Sequence, residues 1–360
     1  MYKVNEDIRK ATTLPASFYR DKTTFYKATD RLLSSSWQLI GDDDLFAENI
    51  NSVPFIFYNK ILNEPLLLIK QNDGAVQCLS NVCTHRGNLL IDKPGKHNKL
   101  LCGYHGRRFG LDGNFEQMPE FEKAEDFPRA CDSLVKIETQ TWEQFIFINL
   151  NPSFDFKNLA ESLNERVGFL PISSFIKSTE RSKEYKVNAH WALYCDNYLE
   201  GFHIPFVHPA LNQAVEYSTY ETVLYDYCNL QIGYAKDDTE TFDLPEGHPD
   251  YGKNVAAYYY WVFPNLMLNF YPWGLSVNIV RPIDHQTTNV SFISYVYDET
   301  KIDSSAGALL DKVEMEDEEV VQGVQKGIQS RYYNTGRFSP TREQGVHHFH
   351  RLIAEIIREN

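Results

Sequence analysis

Two short stretches, "CTH" at 83–85 and "CGYH" at 102–105, restrict what this chain can fold into more than any other feature. Each sets a cysteine and a histidine side by side next to a glycine, so each reads as a turn between short strands with two metal donors at its tip. The four donors can act together only if the two tips meet, and that demands a small β-rich unit closed around them. Six cysteines in 360 residues, at 78, 83, 102, 131, 195 and 228, are too sparse for a disulfide framework, so each is a core thiol or a ligand.

Two Cys and two His would satisfy a structural zinc, but zinc sites usually pair cysteine with cysteine and histidine with histidine at short spacing. Here each loop supplies one of each. In that arrangement two thiolates hold one iron of a [2Fe-2S] cluster and two imidazoles hold the other. The C-x-H stretch is followed after 16 residues by C-x2-H, which favours the iron–sulfur reading with Cys83, His85, Cys102 and His105 as ligands.

The chain changes style near residue 155. Before it, short Val/Ile/Leu/Phe runs such as "SVPFIFYNK", "EPLLLIKQ" and "EQFIFINL" alternate with Asn, Asp, Gly and Pro, the pattern of a small all-β module. After it come a helical stretch in "FKNLAESLNERVGFL", a strand leading into a helix at "KEYKVNAHWALY", long aromatic strands between Tyr258 and Asp298, and two C-terminal helices. The expected fold is α+β: an all-β domain over 37–155, and a helix-grip catalytic domain over 156–360 with an antiparallel sheet, on which residues 1–36 pack. The charge-rich stretch 236–253 reads as a solvated loop. A formal net charge of −14 excludes a phosphate-tracking nucleic-acid binder. Neither a signal peptide nor a membrane span is evident, so a cytoplasmic location is expected.

"NYLEGFHIPFVHP" (197–209) holds a second constellation. An iron(II) site for O2 activation commonly takes two His and one carboxylate on one face, leaving the opposite positions open. His203 and His208 supply two nitrogens. Five residues on an ideal helix turn through about 140°, so a shared face requires the helix to end or bulge, a break assigned to Pro205. In "DKVEMEDEEVVQGVQKGIQS", Asp317 shares a helical stripe with Val313, Val320, Val321, Val324 and Ile328, which makes it the candidate third ligand, with Glu314 as rival. His347 and His350 lie one helical turn apart, where packing and hydrogen bonding outweigh metal binding.

Together, "CTHRG", "CGYHGRRF", the Glu-x2-His-x4-His order and the acidic helix "ED" followed by "VQKG" resemble the Rieske non-haem iron oxygenases over nearly the whole chain. Gly103 and Arg107 stand where that family usually has Pro and Trp, and Arg107 brings a positive charge near the cluster. The resemblance implies Asp317 as iron ligand, and Glu200 as an acid bridging a metal-bound histidine to His105 of a neighbouring subunit, hence a head-to-tail homotrimer. Asn197, a candidate catalytic residue, and Tyr198 are expected to support the ligands, with plain packing as an equal alternative. The chain lacks G-x-G-x-x-G and ferredoxin cysteine spacing, so NADH and flavin are expected on a separate reductase, with or without a ferredoxin between.

The segments "FPNLMLNFYPWG" and "VNIVRPID" are most similar to the branch that oxidises choline, glycine betaine and carnitine. That resemblance implies hydroxylation beside a quaternary nitrogen, with oxidation or N-demethylation. Tyr259, Trp261, Phe263, Phe270, Tyr271 and Trp273 would then be cage candidates, though such stripes are more often core. An aromatic-ring or aromatic-acid hydroxylase is the alternative enzyme; a Rieske electron carrier and a zinc-stabilised binding protein are the non-enzyme readings.

Overall fold

The computed structural model describes residues 2–236, 239–306 and 310–358. They form two compact units: Ser34–Phe154 is one, and the residues up to Leu33 join those from Asp155 onward in the other.

The first unit contains β1 (Gln38–Asp42), β2 (Ser52–Phe57), β3 (Glu64–Lys70), β4 (Val76–Ser80), β5 (Leu100–Leu101), β6 (Arg108–Phe109), β7 (Phe115–Gln117), β8 (Lys136–Trp142) and β9 (Phe145–Asn149). They build a six-stranded antiparallel sheet, order β1-β9-β8-β4-β3-β2, and a three-stranded one, β5-β6-β7. The run "LLLI" in β3 shows why. Successive side chains of a strand point to opposite faces, so an unbroken apolar run suits a strand buried on both. Leu67 and Ile69 enter one core with Leu79, Leu100, Phe109, Cys83 and Cys102, while Leu66 and Leu68 enter a second with Phe57, Cys78, Ile146 and Ile148. At about 1.5–3 kcal/mol for each fully buried leucine, the first core anchors both Cys-His loops by packing alone.

The second unit begins with α1 (Ala16–Arg20) and α2 (Lys22–Ser34), then resumes with α3 (Phe156–Val167), β10 (Ile176–Val187), α4 (Trp191–Tyr198), α5 (Ile204–Val207) and α6 (Leu211–Ala214). It continues through β11 (Glu221–Leu224), β12 (Cys228–Tyr234), β13 (Val255–Val262), β14 (Leu266–Tyr271), β15 (Gly274–Asp284) and β16 (Thr287–Val296) to α7 (Leu310–Gly327) and α8 (Gln344–Arg358). The sheet is antiparallel, in the order β10-β16-β15-β14-β13-β12-β11. Its central strands are covered on both faces: α4 packs on β15 and against α7, while the Tyr260 hydroxyl on the other face reaches the Ser162 carbonyl of α3 at 3.0 Å. The N-terminal segment is tied to α8, since the Leu14 amide donates to His350 Nδ1 (3.0 Å) and His347 Nε2 meets the Asn5 carbonyl (2.7 Å).

The stretch 236–253 differs from the solvated loop expected of it. Asp237 and Asp238 lie outside the described residues, but Phe242, Leu244 and Asp250 are buried. Asp250 pairs with Arg166 at 2.9 Å and Lys253 at 2.8 Å and accepts from the Tyr258 hydroxyl at 3.1 Å. Two cations and a phenol offset the cost of burying that acid, and charge density along the chain does not reveal such pairing. Among the described residues no helix is long and apolar enough to cross a membrane.

Candidate active site

The two Cys-His loops are copies of one turn. The Cys83 amide donates to the Asn88 carbonyl (2.8 Å) and the Gly87 amide to the Cys83 carbonyl (3.0 Å); Cys102, Arg107 and Gly106 repeat both bonds at the same lengths. Gly87 and Gly106 sit at φ +72° and +73°, where a side chain would be strained, and this is the reason each loop carries a glycine four residues after its cysteine. Cys83 and Cys102 are buried, and their sulfurs face backbone amides of their own loops. The His85 and His105 rings stand edge to face, 4.8 Å between centroids. Their Nδ1 atoms are buried without a hydrogen-bond partner, as expected of atoms that bind metal. Burial, with His105 and Arg107 nearby, lowers the pKa of His85, which keeps the ring neutral as a ligand must be.

Each loop brings one thiolate and one imidazole to the centre, the donor set of a two-iron cluster with two thiolates on one iron and two imidazoles on the other.

Arg107 is buried beneath these loops. Its guanidinium bonds the Asp132 carboxylate at 2.6 Å and the Asp132 carbonyl at 3.1 Å, and lies 5.0–5.7 Å from the rings of Phe109, Phe115 and Phe127. The Thr84 hydroxyl donates to the same carbonyl at 2.8 Å, so Asp132 ties both loops together.

In the second unit, α4 ends at Tyr198 and an irregular turn follows, then the single helical turn α5 with His203 before it and His208 after it. The break therefore falls at 199–202, upstream of the expected place. Pro205 instead starts α5, where a missing N–H costs nothing. Asp317 Oδ1 lies 3.0 Å from His208 Nε2 and 3.4 Å from His203 Nε2. Bonds of about 2.1 Å at right angles place donors about 3 Å apart, so one face of an octahedral Fe(II) fits.

Both other imidazole nitrogens meet carboxylates. His203 Nδ1 faces Glu200 Oε1 at 2.7 Å, and His208 Nδ1 faces Glu316 Oε2 at 2.8 Å. Such contacts set tautomer and ring orientation. Glu200 also accepts the backbone amides of Phe202 and His203, so it caps its own turn. Burial opposes charging of His208, but Asp317 and Glu316 outweigh it and raise its pKa.

The structure brings Asp317, rather than Glu314, to the histidines. Glu314 accepts from the Tyr194 hydroxyl at 2.6 Å; burial, and then the charge of Asp317, push its carboxyl up to about 8. The buried face of α7 differs from the expected stripe: Val321, Gln325 and Ile328 are buried, while Val320 and Val324 are exposed. His347 and His350 make hydrogen bonds, His350 Nε2 to Asp196 at 2.8 Å and His347 as above.

A cavity with about 680 Å³ of non-protein space, open solvent at its mouth included, adjoins the three candidate ligands. Asn197, Tyr198, Glu200 and Glu314 line it, with Tyr220, Tyr259 and Tyr271. The Tyr198 hydroxyl is fixed by Asn269 Oδ1 at 2.7 Å. Of the cage candidates only Tyr259 and Tyr271 line the cavity. Trp273 stacks on Tyr271, and Trp261, Phe263 and Phe270 are core.

Sequence reasoning missed Glu316, Tyr194 and the polar row Gln231–Tyr259–Asn269–Ser276, paired across four strands. The amides Gln231 within "LQIGY" and Asn269 within "LMLNFY", each flanked by apolar residues, are the signal that marks the cavity side of those strands.

The ring hydroxylating alpha subunit (catalytic domain) family model matches residues 178–359, and the Rieske [2Fe-2S] domain model matches 46–128. The carnitine monooxygenase oxygenase subunit of Escherichia coli (strain K12) is 28% identical, over 98% of this chain and 95% of its own. The chloroplastic choline monooxygenase of Arabidopsis thaliana is 26% identical, over 96% and 83%. A solved quaternary ammonium Rieske monooxygenase, described with carnitine oxidation and inter-subunit electron transfer, has a TM-score of 0.75 at 25% identity over 99% of this chain and 100% of its own. Naphthalene 1,2-dioxygenase with bound indole, TM-score 0.70 at 16% identity over 100% and 95%, shares the fold. With a catalytic-domain match across half its length and the Rieske match before it, the chain belongs to the Rieske non-haem iron oxygenases, as a ring-hydroxylating alpha, or terminal oxygenase, subunit.

Proposed function

We propose that this chain oxygenates a small quaternary ammonium compound at a carbon beside the charged nitrogen, leading to oxidation or N-demethylation. The observation that carries the reading is one cavity in which His203, His208 and Asp317 share a wall with Tyr198, Tyr220, Tyr259 and Tyr271. Phenol rings attract a cation that cannot donate a hydrogen bond. The kinship with carnitine and choline monooxygenases supports the same class.

The family's terminal oxygenases take electrons from a separate reductase, which supplies NADH and flavin. When bound, the [2Fe-2S] cluster passes single electrons and the mononuclear iron activates O2. In this reading Cys83, His85, Cys102 and His105 hold the cluster, and His203, His208 and Asp317 hold the iron. The protein's own work is positioning. Glu200 and Glu316 keep the Nδ1 protons of His203 and His208 in place, which turns both Nε2 lone pairs toward Asp317. The tyrosine wall orients the substrate, and Asn197 borders the same space. Glu200 also links His203 to His105 of the partner subunit, so the working form is a homotrimer, placed in the cytoplasm and fed by the reductase directly or through a ferredoxin.

The deciding experiment measures iron, zinc and acid-labile sulfide on anaerobically purified protein, then turnover with reductase and quaternary ammonium compounds. About three irons and two sulfides per chain, with aldehyde released, are expected. Zinc without sulfide overturns the oxygenase reading, and turnover of aromatic acids alone overturns the substrate class.

A further inference from the structure

Three amide side chains of the sheet line the cavity beside the candidate iron ligands: Gln231 on β12, Asn269 on β14 and Asn278 on β15. Two of them use their N–H groups within the protein. Gln231 Nε2 donates to the Tyr198 carbonyl at 2.7 Å, and Asn269 Nδ2 to the Ser276 carbonyl at 3.2 Å, while Asn269 Oδ1 accepts from the Tyr198 hydroxyl at 2.7 Å. Those bonds hold the cavity wall together.

Asn278 differs. It is 3% exposed within an eleven-residue strand, between Val277 and Ile279, where an apolar side chain would be buried without penalty. Its Oδ1 accepts from the Ser276 hydroxyl at 3.0 Å, and this bond orients the amide. Nδ2 is therefore turned away from Ser276, and it meets no acceptor among the described residues. Gln231 Oε1 is sealed in the protein without a partner, whereas Asn278 Nδ2 keeps surface on the cavity. Native structures rarely leave a buried amide with idle N–H groups, so this one is completed by what the cavity holds. An N–H needs a lone pair. A nitrogen with four carbon substituents has none, so the acceptor is an oxygen elsewhere on the ligand. None of the described lining residues is Lys or Arg, so this anchor is a neutral one.

We infer that Asn278 is a specificity-determining residue of the oxygenase: its Nδ2 donates to an oxygen of the substrate, be it hydroxyl, carbonyl or carboxylate. An oxygen held on β15 and a cation held by the tyrosines give the ligand one direction in the cavity. The choice of probes below rests on the quaternary ammonium reading above, but the role of Asn278 does not.

Calorimetric titration of the anaerobic iron-loaded protein tests it with pairs matched in shape that differ in oxygen: choline against propyltrimethylammonium, and γ-butyrobetaine against (4-methylpentyl)trimethylammonium. In the wild type the oxygen-bearing member of at least one pair should bind about three- to tenfold more tightly, and the pair that shows this identifies the oxygen as hydroxyl or carboxylate. Asn278→Leu, with iron content and visible spectrum retained, should abolish that ratio by weakening the oxygen-bearing member alone. Asn278→Ala serves the same comparison if the leucine is not accommodated. Oxygen-free members that bind at least as tightly in both wild-type pairs overturn the inference, whether or not a variant folds. So does an equal loss for both members in the variants, which would make Asn278 a structural residue only. Failure of every onium to bind would instead remove the proposed substrate class, and the comparison would then use benzyl alcohol and toluene, where a ratio unchanged by Asn278→Leu overturns the role of Asn278.

Discussion

The Arg107–Asp132 pair is predicted to respond unequally to loss of its two members. Asp132→Ala removes the 2.6 Å partner of a guanidinium that is only 2% exposed, and leaves that charge among Phe109, Phe115 and Phe127. An uncompensated buried charge costs about 3–5 kcal/mol. For a unit the size of Ser34–Phe154, at about 3–5 °C per kcal/mol, the thermal midpoint should fall by about 10–20 °C. Arg107→Met replaces the cation with an apolar chain in an apolar nest. Asp132 then keeps the Arg129 amide at 2.7 Å and its edge of solvent, so the loss should be about 1–2 kcal/mol, or roughly 5 °C. The assay is loss of the cluster's visible circular dichroism at one fixed heating rate, because cluster loss is irreversible. Burial acts to raise the Asp132 carboxyl, but the Arg129 amide and the Arg107 guanidinium outweigh it and hold its pKa below the ordinary value. The pair's contribution is therefore present above about pH 4 and lost as pH falls through the lowered folded value. Equal losses in the two variants would refute the charge-burial reasoning, since packing alone would then explain both. The reduction potential gives a second check, falling in Arg107→Met and rising in Asp132→Ala.

Three further outcomes follow from named contacts. Asp317→Asn should lower iron from about three to about two per chain at constant sulfide, and Glu316→Gln should weaken iron binding by about 10–100-fold by releasing His208 Nδ1, both read by metal analysis after dialysis. Unchanged iron in either would remove the assigned role. Glu200→Gln should retain iron and a reducible cluster yet lose turnover, because the residue meets the His203 ring at Nδ1 and leaves Nε2 free for the metal; iron loss in this variant would make it a ligand instead. Asp250→Ala should cost about 1.5–3 kcal/mol, because Arg166, Lys253 and the Tyr258 hydroxyl lose a shared acceptor while Arg166 keeps Glu165. Burial would raise the Asp250 carboxyl, but the Lys253 hydrogen bond and Arg166 hold it low, so the wild type should lose this contribution below about pH 4 while the variant shows no such loss in denaturant titrations across pH.

How much of this was legible in the sequence depended on the distance over which each constraint acts. The Cys-His loops and the His203–His208 pair are local: their donors, glycines and proline lie within a few residues of one another, so spacing alone exposed them. Asp317 is more than a hundred residues from His208, and only the amphipathic pattern of its helix and the family resemblance singled it out. That pattern was misread at Val320 and Val324, because α7 buries the face through Asp317, Val321, Gln325 and Ile328 and leaves those two valines exposed. Glu316 was lost in a run of acids because its partner, His208 Nδ1, comes from another element. Asp250 hid in the same way inside a stretch that reads as solvated, its cation Arg166 lying on α3.

The polar row across β12–β15 shows the limit most clearly. Gln231, Asn269 and Ser276 each look like a minor flaw in an apolar strand, and they become one surface only when antiparallel register sets them side by side. Period-two patterning gives the face on which a residue stands but not the neighbour beside it. Chemistry held within one turn is written in spacing. Chemistry assembled by register appears in the sequence only as isolated polar residues that the hydrophobic pattern does not require, and those are the positions to mark before a structure is known.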